Sequence, residues 1–392
     1  MLTALLWIAF GGILYACLGF PAAAALVALG TRPRVASAGA SGAFPRVSVI
    51  VAAYNEELSI ESKIRNLLET DYPREILDIL VVSDASTDRT NDIVRGFESE
   101  GVRLIVQEQR RGKTAGLNRA MALARGDIVV MTDANAGYLA NTITSLVRGF
   151  DDPTVGLVTG YTRYQVNSGP MGRVINIYTS LERLIKRAES RWGCCVGADG
   201  AVFAIRRSLY RVLWDDDIND LVIPLEVVEQ GYRSVLAEDA FCIEKPGKNL
   251  DSEFRRQSRI TNRTLCALWR NRRLLNPFRF GLFSFFLFSH KVVRFFVPIF
   301  LMLSAAAMVL LAGAGAVYLL LALGVVAVSA LAARRQTTPA LVFPLSAFSR
   351  LLNPLSIFMV VNIAILHGWW LFLCGRRDVV WQHDRSLTPT GR

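Results

Sequence analysis

The first 31 residues are apolar and carry no charged side chain, a run long enough to span a bilayer with room to tilt. No basic segment precedes it, as a cleaved signal would require, so residues 1–30 are expected to form an N-terminal transmembrane helix. Residues 31–45, rich in Gly, Ala, Ser and Pro, read as a linker. At Val47 the pattern changes. Val47–Ala53 is an unbroken apolar run that stops at Tyr54-Asn55-Glu56-Glu57, and Ile60, Ile64, Leu67 and Leu68 follow at helical spacing. Leu77–Val82 is a second strand, ending in Ser83-Asp84-Ala85-Ser86-Thr87-Asp88, and Ile93, Val94 and Phe97 belong to the next helix. Val102–Val106 is a third strand. Gly112-Lys113-Thr114 then opens a helix bearing Leu117, Ala120, Met121 and Ala124, and Ile128–Met131 is a fourth strand with Thr132-Asp133-Ala134-Asn135 at its tip. Strands that alternate with helices predict an α/β domain with a largely parallel sheet.

Beyond this block, Val174, Ile177, Tyr178, Leu181, Leu184 and Ile185 again keep helical spacing, and Gly197-Ala198-Asp199-Gly200-Ala201 leads into the apolar run Val202–Arg207. Small residues there let backbone approach a ligand closely. Another apolar helix begins at Val222, just after Asn219-Asp220. Phe254–Arg273 reads as an interfacial helix: Arg255, Arg259 and Arg263 share one face, and Ile260, Leu265, Leu268 and Trp269 supply apolar surface. Phe295–Leu311 and Val317–Ala333 are two apolar spans joined by a Gly-rich turn. A third stretch, Pro354–Cys374, is interrupted by Asn362 and His367 and followed by Arg376-Arg377.

With 52% hydrophobic residues in 392, the composition fits a soluble domain carried on membrane segments. Arg32, Arg34, Arg334 and Arg335 agree on a cytoplasmic face. Four full spans would put Arg376-Arg377 outside, so Pro354–Cys374 is expected to be interfacial or re-entrant. The expected location is the inner (plasma) membrane, multi-pass, with the soluble domain cytosolic. The net charge of +11 is concentrated in part between Arg255 and Arg279, a stretch without acids, and beside membrane spans this points to anionic lipid rather than nucleic acid. The six cysteines show neither CxxC nor Cys/His ligand spacing, which indicates no zinc site and no disulfide framework.

Candidate chemistry gathers at the strand tips, where open α/β sheets bind ligands. Glu56, Asp84 and Asp133 would crowd one rim, and such crowding is costly unless a cation or ligand donors offset it. Asp133 and Asn135, two apart with a small residue between, can face one hard cation whose other ligands are water and phosphate; an Asx-turn closing the strand is the plainer reading. Gly112-Lys113-Thr114 ends like a P-loop, but the required upstream glycine falls on Gln107, and no GxGxxG follows the first strand. Asp220, taken alone, reads as a helix N-cap.

In order, these segments resemble the membrane-bound family 2 glycosyltransferases, inverting enzymes with a GT-A fold. The resemblance covers residues 46–280. It is carried by Val49–Glu57, Val82–Asp88, Gly112–Asn118, Thr132–Asn135, Asn219-Asp220 and Arg256-Gln257-Ser258-Arg259-Ile260. It implies a cytosolic GT-A domain over 46–253, basic amphipathic interfacial helices over 254–294, membrane helices over 295–375 and a cytosolic tail over 376–392. It further implies that Ala53, Tyr54, Asn55 and Glu56 hold the donor nucleotide, that Asp84 contacts its base, and that Lys113, Arg256 and Arg259 attend the diphosphate. Asp133 and Asn135 would hold a divalent cation, Mg or Mn. Asp199 and Gly200 would touch donor sugar or acceptor, and Asp220 would be the catalytic base. The donor would be a nucleotide-diphosphate sugar, with uridine as the expected base, and the acceptor a lipid or envelope glycan. Asn135 replaces the family's second metal aspartate, and Arg256 and Ile260 replace the glutamine and tryptophan of QxxRW. The missing tryptophan favours transfer of one or a few sugars over processive synthesis. A sugar nucleotidyltransferase or a non-catalytic nucleotide sensor would share the phosphate logic, but neither needs Asp220.

Overall fold

The computed structural model describes residues 1–30, 44–165, 170–192, 194–244, 250–315 and 346–377. The soluble domain is built on an eight-stranded sheet of order β3-β2-β1-β4-β7-β6-β8-β5. Its strands are β1 Val47–Ala53, β2 Leu77–Ser83, β3 Val102–Val106, β4 Ile128–Asp133, β5 Gly137–Tyr138, β6 Val155–Tyr164, β7 Phe203–Arg206 and β8 Arg233–Glu244. The four strands read from the apolar runs pair in parallel, as expected. The other half is mixed, because β7 enters antiparallel between β4 and β6, with Met131 opposite Phe203 and Thr159 opposite Phe203. β6 and β8 are parallel, and β5 closes the sheet antiparallel to β8.

Both faces of the sheet are covered, so the central strands are apolar at successive positions rather than alternating. Val47, Val49 and Val51 of β1 pack on one face with Ile60, Ile64 and Leu67, while Ile50 packs on the other with Leu117, Ala120 and Met121. The strand order reverses direction at β1, whose neighbours are β2 and β4, and this topological switch leaves a crevice at the strand tips. The register brings the three acidic tips to that rim: Ala53 is opposite Ser83 and Ala52 is opposite Asp133.

Among the described residues, two helices are long and apolar enough to cross a membrane, Leu2–Gly30 and Leu282–Leu311. The second begins earlier than the apolar stretch at Phe295 suggests. They pack together: a Cβ on Gly12 would fall 2.6 Å from the Phe300 ring, and Tyr15 Oη and Ser289 Oγ are 2.7 Å apart. The apolar stretch Val317–Ala333 lies outside the described residues, as does most of the linker and tail.

Helix Leu250–Arg270 is packed on both sides. The helix Ser346–Leu373 lies against it, continuous through Asn362 and His367. The two polar residues that interrupt the Pro354–Cys374 apolar pattern are engaged: Asn362 Nδ2 donates to Phe358 O at 2.8 Å, and His367 Nδ1 is 2.6 Å from Ser258 Oγ. Arg263 and Arg270 contact the soluble domain. Arg263 Nη2 donates to Thr114 Oγ1 (2.9 Å), and Arg270 pairs with Asp216 (2.7 Å) and Asp217 (2.8 Å). The basic helix is therefore partly a clamp on the Asp215–Asp217 loop, because its arginines find partners there.

Gly368 sets the approach of this helix pair, since a Cβ there would lie 2.6 Å from Thr261 Cβ. Gly368→Val should force the helices apart and cost about 1–3 kcal/mol, the usual range for overpacking. A lowered melting temperature of the purified full chain in detergent checks this; an unchanged one contradicts the close packing.

Candidate active site

The crevice is assembled by loops that hold one another. Asn55 and Ala85, at the tips of β1 and β2, adopt positive φ (54° and 55°), a conformation that non-glycine residues keep only where surrounding contacts hold it. Those contacts run between the loops: Thr87 N donates to Asn55 Oδ1 (2.8 Å), Asn55 N to Ser86 Oγ (3.1 Å) and Glu56 N to Thr90 Oγ1 (2.8 Å). Glu56 itself accepts from Ser59 Oγ. Ala53 is buried and its carbonyl accepts from Asp84 N at 3.0 Å. The Tyr54 ring lies under the Arg110 guanidinium, 3.7 Å from its centroid.

Asp84 is buried, 7% exposed, and both its carboxylate oxygens are engaged within the protein. They accept from Gln107 Nε2 (2.8 Å), Arg111 N (2.8 Å) and Gly112 N (2.9 Å). Here the residue organises the loop that starts helix Lys113–Leu123. Gly112, at φ 88°, turns the chain into that helix, a conformation glycine adopts without a Cβ penalty.

Lys113, the first residue of the helix, reaches Asp133 Oδ1 at 2.5 Å. Asn135, two residues on, is exposed. Among the described residues no three His, Cys, Asp or Glu side chains are grouped as a metal cage. One carboxylate and one amide at an open rim, with a lysine supplying the positive charge in their absence, fit a divalent cation that takes its remaining ligands from water and a diphosphate.

The charge of Lys113 acts on Asp220 as well. The helix Asn219–Glu229 takes Ile218 as its N-cap, so Asp220 is in the first turn and does not serve as the cap. Its Oδ1 is buried without a hydrogen-bond partner. Burial pushes its carboxyl above the usual aspartate range, Asp199 adds to this, and Lys113, Lys291 and Lys186 act against it. Gly200 faces this carboxylate: a Cβ there would be 3.1 Å from Asp220 Oδ2. Asp199 is less available, because Thr162 N (2.8 Å) and Thr162 Oγ1 (2.9 Å) donate to its two oxygens. Arg256 is exposed and paired with Glu253 at 3.4 Å, and Arg259, about one turn on, is partly buried.

The structure adds residues that the sequence pattern left aside. Glu244 ends β8 beside the metal motif, since Ile243 pairs with Gly137. Burial, then Asp133 and Asp199, push its carboxyl up to about 7. Lys63 is buried at the metal loop, donating to Ala136 O at 2.5 Å with its ammonium 3.8 Å over the Tyr138 ring. Burial lowers its pKa to about 7. Lys63 was detectable: it stands three residues after Ile60, on the apolar face of its helix. Lys291 was detectable as well, as a charge inside an apolar span. Glu244 had no such signal, because only the sheet register brings it to Asp133. A cavity of about 600 Å³ lined by Pro45, Asp127, Ile128, Phe150 and Arg206 lies at the opposite ends of the strands, by the starts of β1 and β4, and takes no part in this arrangement.

Comparison with known proteins agrees with the geometry. Residues 48–214 match the family model described as glycosyl transferase family 2. A probable glycosyltransferase of Bacillus subtilis (strain 168), YdaM, is 31% identical over 201 residues, 48% of this chain and 48% of that protein. Poly-beta-1,6-N-acetyl-D-glucosamine synthase of Staphylococcus aureus (strain COL) is 27% identical over 203 residues, 50% of this chain and 49% of that protein. The chain thus spans about half the length of the curated relatives it matches. Among solved structures, mannosyltransferase PcManGT from Pyrobaculum calidifontis, in complex with GDP-Man and Mn2+, superposes with a TM-score of 0.71 at 25% identity, covering 96% of this chain and 100% of that one.

The Asp84 network has a direct test. Asp84→Ala leaves the N–H groups of Arg111 and Gly112, the second of them buried, without their acceptor, and a buried donor left unpaired costs about 1–3 kcal/mol. The variant should melt earlier and bind nucleotide at least tenfold more weakly by calorimetry. Unchanged nucleotide affinity would show that the loop order is immaterial to the site.

Proposed function

We propose that the chain, whose residues 48–214 match the family model described as glycosyl transferase family 2, is a membrane-anchored inverting glycosyltransferase that moves a sugar from a nucleotide-diphosphate donor to a lipid or glycan acceptor. One arrangement carries this reading: Lys113 pairs with Asp133 at the strand tip, and its charge also acts on the partly buried Asp220, one of whose oxygens is buried without a partner. The strand-tip half suits a diphosphate and the other half suits an acceptor hydroxyl.

In the proposed step the acceptor oxygen attacks the anomeric carbon from the face opposite the diphosphate. The new C–O bond forms as the sugar–phosphate bond breaks, and the acceptor proton passes to Asp220. Asp220 is enclosed without being neutralised, which suits a general base. Asp133 and Asn135 would hold a divalent cation, Mg or Mn, which when bound offsets charge on the leaving diphosphate. Lys113 is free to turn from Asp133 to the diphosphate. Arg256 and Arg259 are the further candidates for that contact.

The expected donor base is uridine; the likeness to a mannosyltransferase holding GDP-Man makes guanosine the alternative, so both series belong in a donor screen. Transfer of one or a few sugars accords with Ile260 where processive enzymes carry tryptophan. The likeness to a poly-N-acetylglucosamine synthase favours the processive reading, and product length separates the two. The two apolar helices support anchoring, with the domain on the cytosolic side of the inner membrane.

Sugar-dependent release of free nucleoside diphosphate by the purified full chain tests the reading, and its absence across UDP- and GDP-sugars with lipid extracts would refute it. Asp133→Ala, or excess EDTA on the wild type, should abolish release; full activity in EDTA would remove the metal. Asp220→Asn should lower kcat by about 100- to 10,000-fold while donor affinity stays near wild type. A carboxyl whose folded pKa is raised destabilises the fold above that pKa and ceases to do so as pH falls through it. Asp220→Asn should therefore melt no earlier than wild type at neutral pH. Wild-type turnover should fall as pH drops through a pKa above the ordinary aspartate value, and an acid limb at or below that value would exclude Asp220 as the base.

A further inference from the structure

Helix Ile60–Leu68 grips the Asp133–Tyr138 loop with two side chains that the transfer step does not use. Lys63 is buried, and its Nζ donates to Ala136 O at 2.5 Å with the ammonium 3.8 Å over the Tyr138 ring. Asn66, three residues on, brackets the Tyr138 backbone: its Nδ2 donates to Tyr138 O (2.8 Å) and Tyr138 N donates to its Oδ1 (2.7 Å). The loop also closes on itself, because Ala136 N donates to Asp133 O at 3.3 Å. Ala134 and Ala136 are buried, while Asp133 is partly exposed and Asn135 exposed. Inward and outward positions alternate, so the two candidate cation ligands are left on the open side.

A hydrophobic side chain would fill the place of Lys63 more cheaply. Its neighbours on the same helix face, Ile60, Ile64 and Leu67, are fully buried, and an ammonium taken out of water is destabilising where an apolar group of similar length is not. What the ammonium adds is a charge-assisted hydrogen bond to a carbonyl inside the loop, stronger than a neutral one, and a face-on contact that holds the Tyr138 ring. Tyr138 extends the hold across the site. Its Oη donates to Ala201 O at 3.1 Å, and Ala201 N donates to Asp199 Oδ1 at 3.2 Å. The cation loop and the loop that carries Asp199 thus lean on one post.

Resting on the transferase reading for the cation itself, we infer that Lys63, together with Asn66, is a positioning residue: it holds the Asp133–Tyr138 loop in the shape that lets Asp133 and Asn135 share one divalent cation. Lys63 acts through the Ala136 carbonyl and the Tyr138 ring. It does not serve the cation by its charge, because an ammonium is a like charge for a metal ion, and the charges of Lys63 and Asp133 act on each other. Loss of that charge alone would tighten the cation, whereas loss of the hold on the loop loosens it.

The test measures UDP and GDP binding to the full chain in detergent by calorimetry, once in Mn2+ and once in EDTA. The ratio of the two affinities is the gain due to the cation, and no sugar transfer is needed to read it. Lys63→Met, which keeps the length of the side chain and removes the ammonium, should lower that gain about 10- to 100-fold, the usual effect of removing a group that orients a metal ligand. Its affinity in EDTA and its melting temperature should stay near wild type. Asn66→Ala, at a half-buried position, should lower the gain in the same direction and serves where Lys63→Met does not fold. Ile60→Val, a core truncation on the same helix, should lower the melting temperature and leave the gain unchanged. A wild type without any gain, or a gain that survives Asp133→Ala, would overturn the cation reading and this inference with it. A gain that Asp133→Ala abolishes but that Lys63→Met and Asn66→Ala leave unchanged or increase would overturn this inference alone. So would an equal loss in Ile60→Val, which would make the effect one of general stability.

Discussion

A carboxylate that has to stay enclosed and unneutralised is the constraint around which this molecule is arranged. Asp220 can serve as a base only if no arginine clamps it and no backbone N–H caps it. The structure meets this by placing the residue in the first turn of its helix while Ile218 takes the cap position. Burial then raises its proton affinity, and the opposing lysines act from a distance rather than through hydrogen bonds. They come from three separate places: the helix behind the donor loop, the helix beneath the sheet and the apolar span. The charge environment of Asp220 is thus set jointly by the soluble domain and the apolar helix Leu282–Leu311.

The same logic explains where the arginines go. In a sheet with several acids at one rim, free guanidinium groups would quench the site. Arg263 and Arg270 are instead committed to the Asp215–Asp217 loop, and Arg273 pairs with Glu229 at 2.6 Å. These pairs clamp the basic helix to the domain, and the charge of Arg263 also acts on Asp220. Beneath them, Glu182, Glu189, His290 and Arg294 form a second closed set between the soluble domain and the Leu282–Leu311 helix. That helix has a π-helical turn at Leu287–Val292, facing another at Tyr15–Gly19 across the Tyr15–Ser289 contact. Such turns re-aim side chains that a regular helix would direct elsewhere, and here His290 and Lys291 are the side chains concerned.

Much of this was readable along the chain, for a physical reason. The four parallel strands are buried on both faces, so each appears as a continuous apolar run with a polar tip, and the tips named Asn55, Asp84, Asp133 and the Lys113 turn directly. Helical spacing likewise exposed Ile60–Leu68 and the amphipathic Leu250–Arg270. Strand β7 was legible as an apolar run, but its antiparallel insertion between β4 and β6 was not, because pairing partners leave no mark on a short strand. The role of Asp84 as an anchor for the Arg111–Gly112 backbone was hidden in the same way: a carboxylate that holds a loop and one that meets a ligand look identical in sequence.

Local pattern, then, determined the fold class, the apolar spans and the residue types available at the sheet rim, since burial and turn chemistry act over a few neighbouring positions. Tertiary structure alone decided which charges meet. The pairing of Lys113 with Asp133, the approach of Glu244 to the Asp133–Gly137 loop, and the contacts of Arg263 and Arg270 with the Asp215–Asp217 loop join residues far apart in the chain. Each depends on sheet register or helix packing. Electrostatic energy follows distance in space, which the order of residues does not encode.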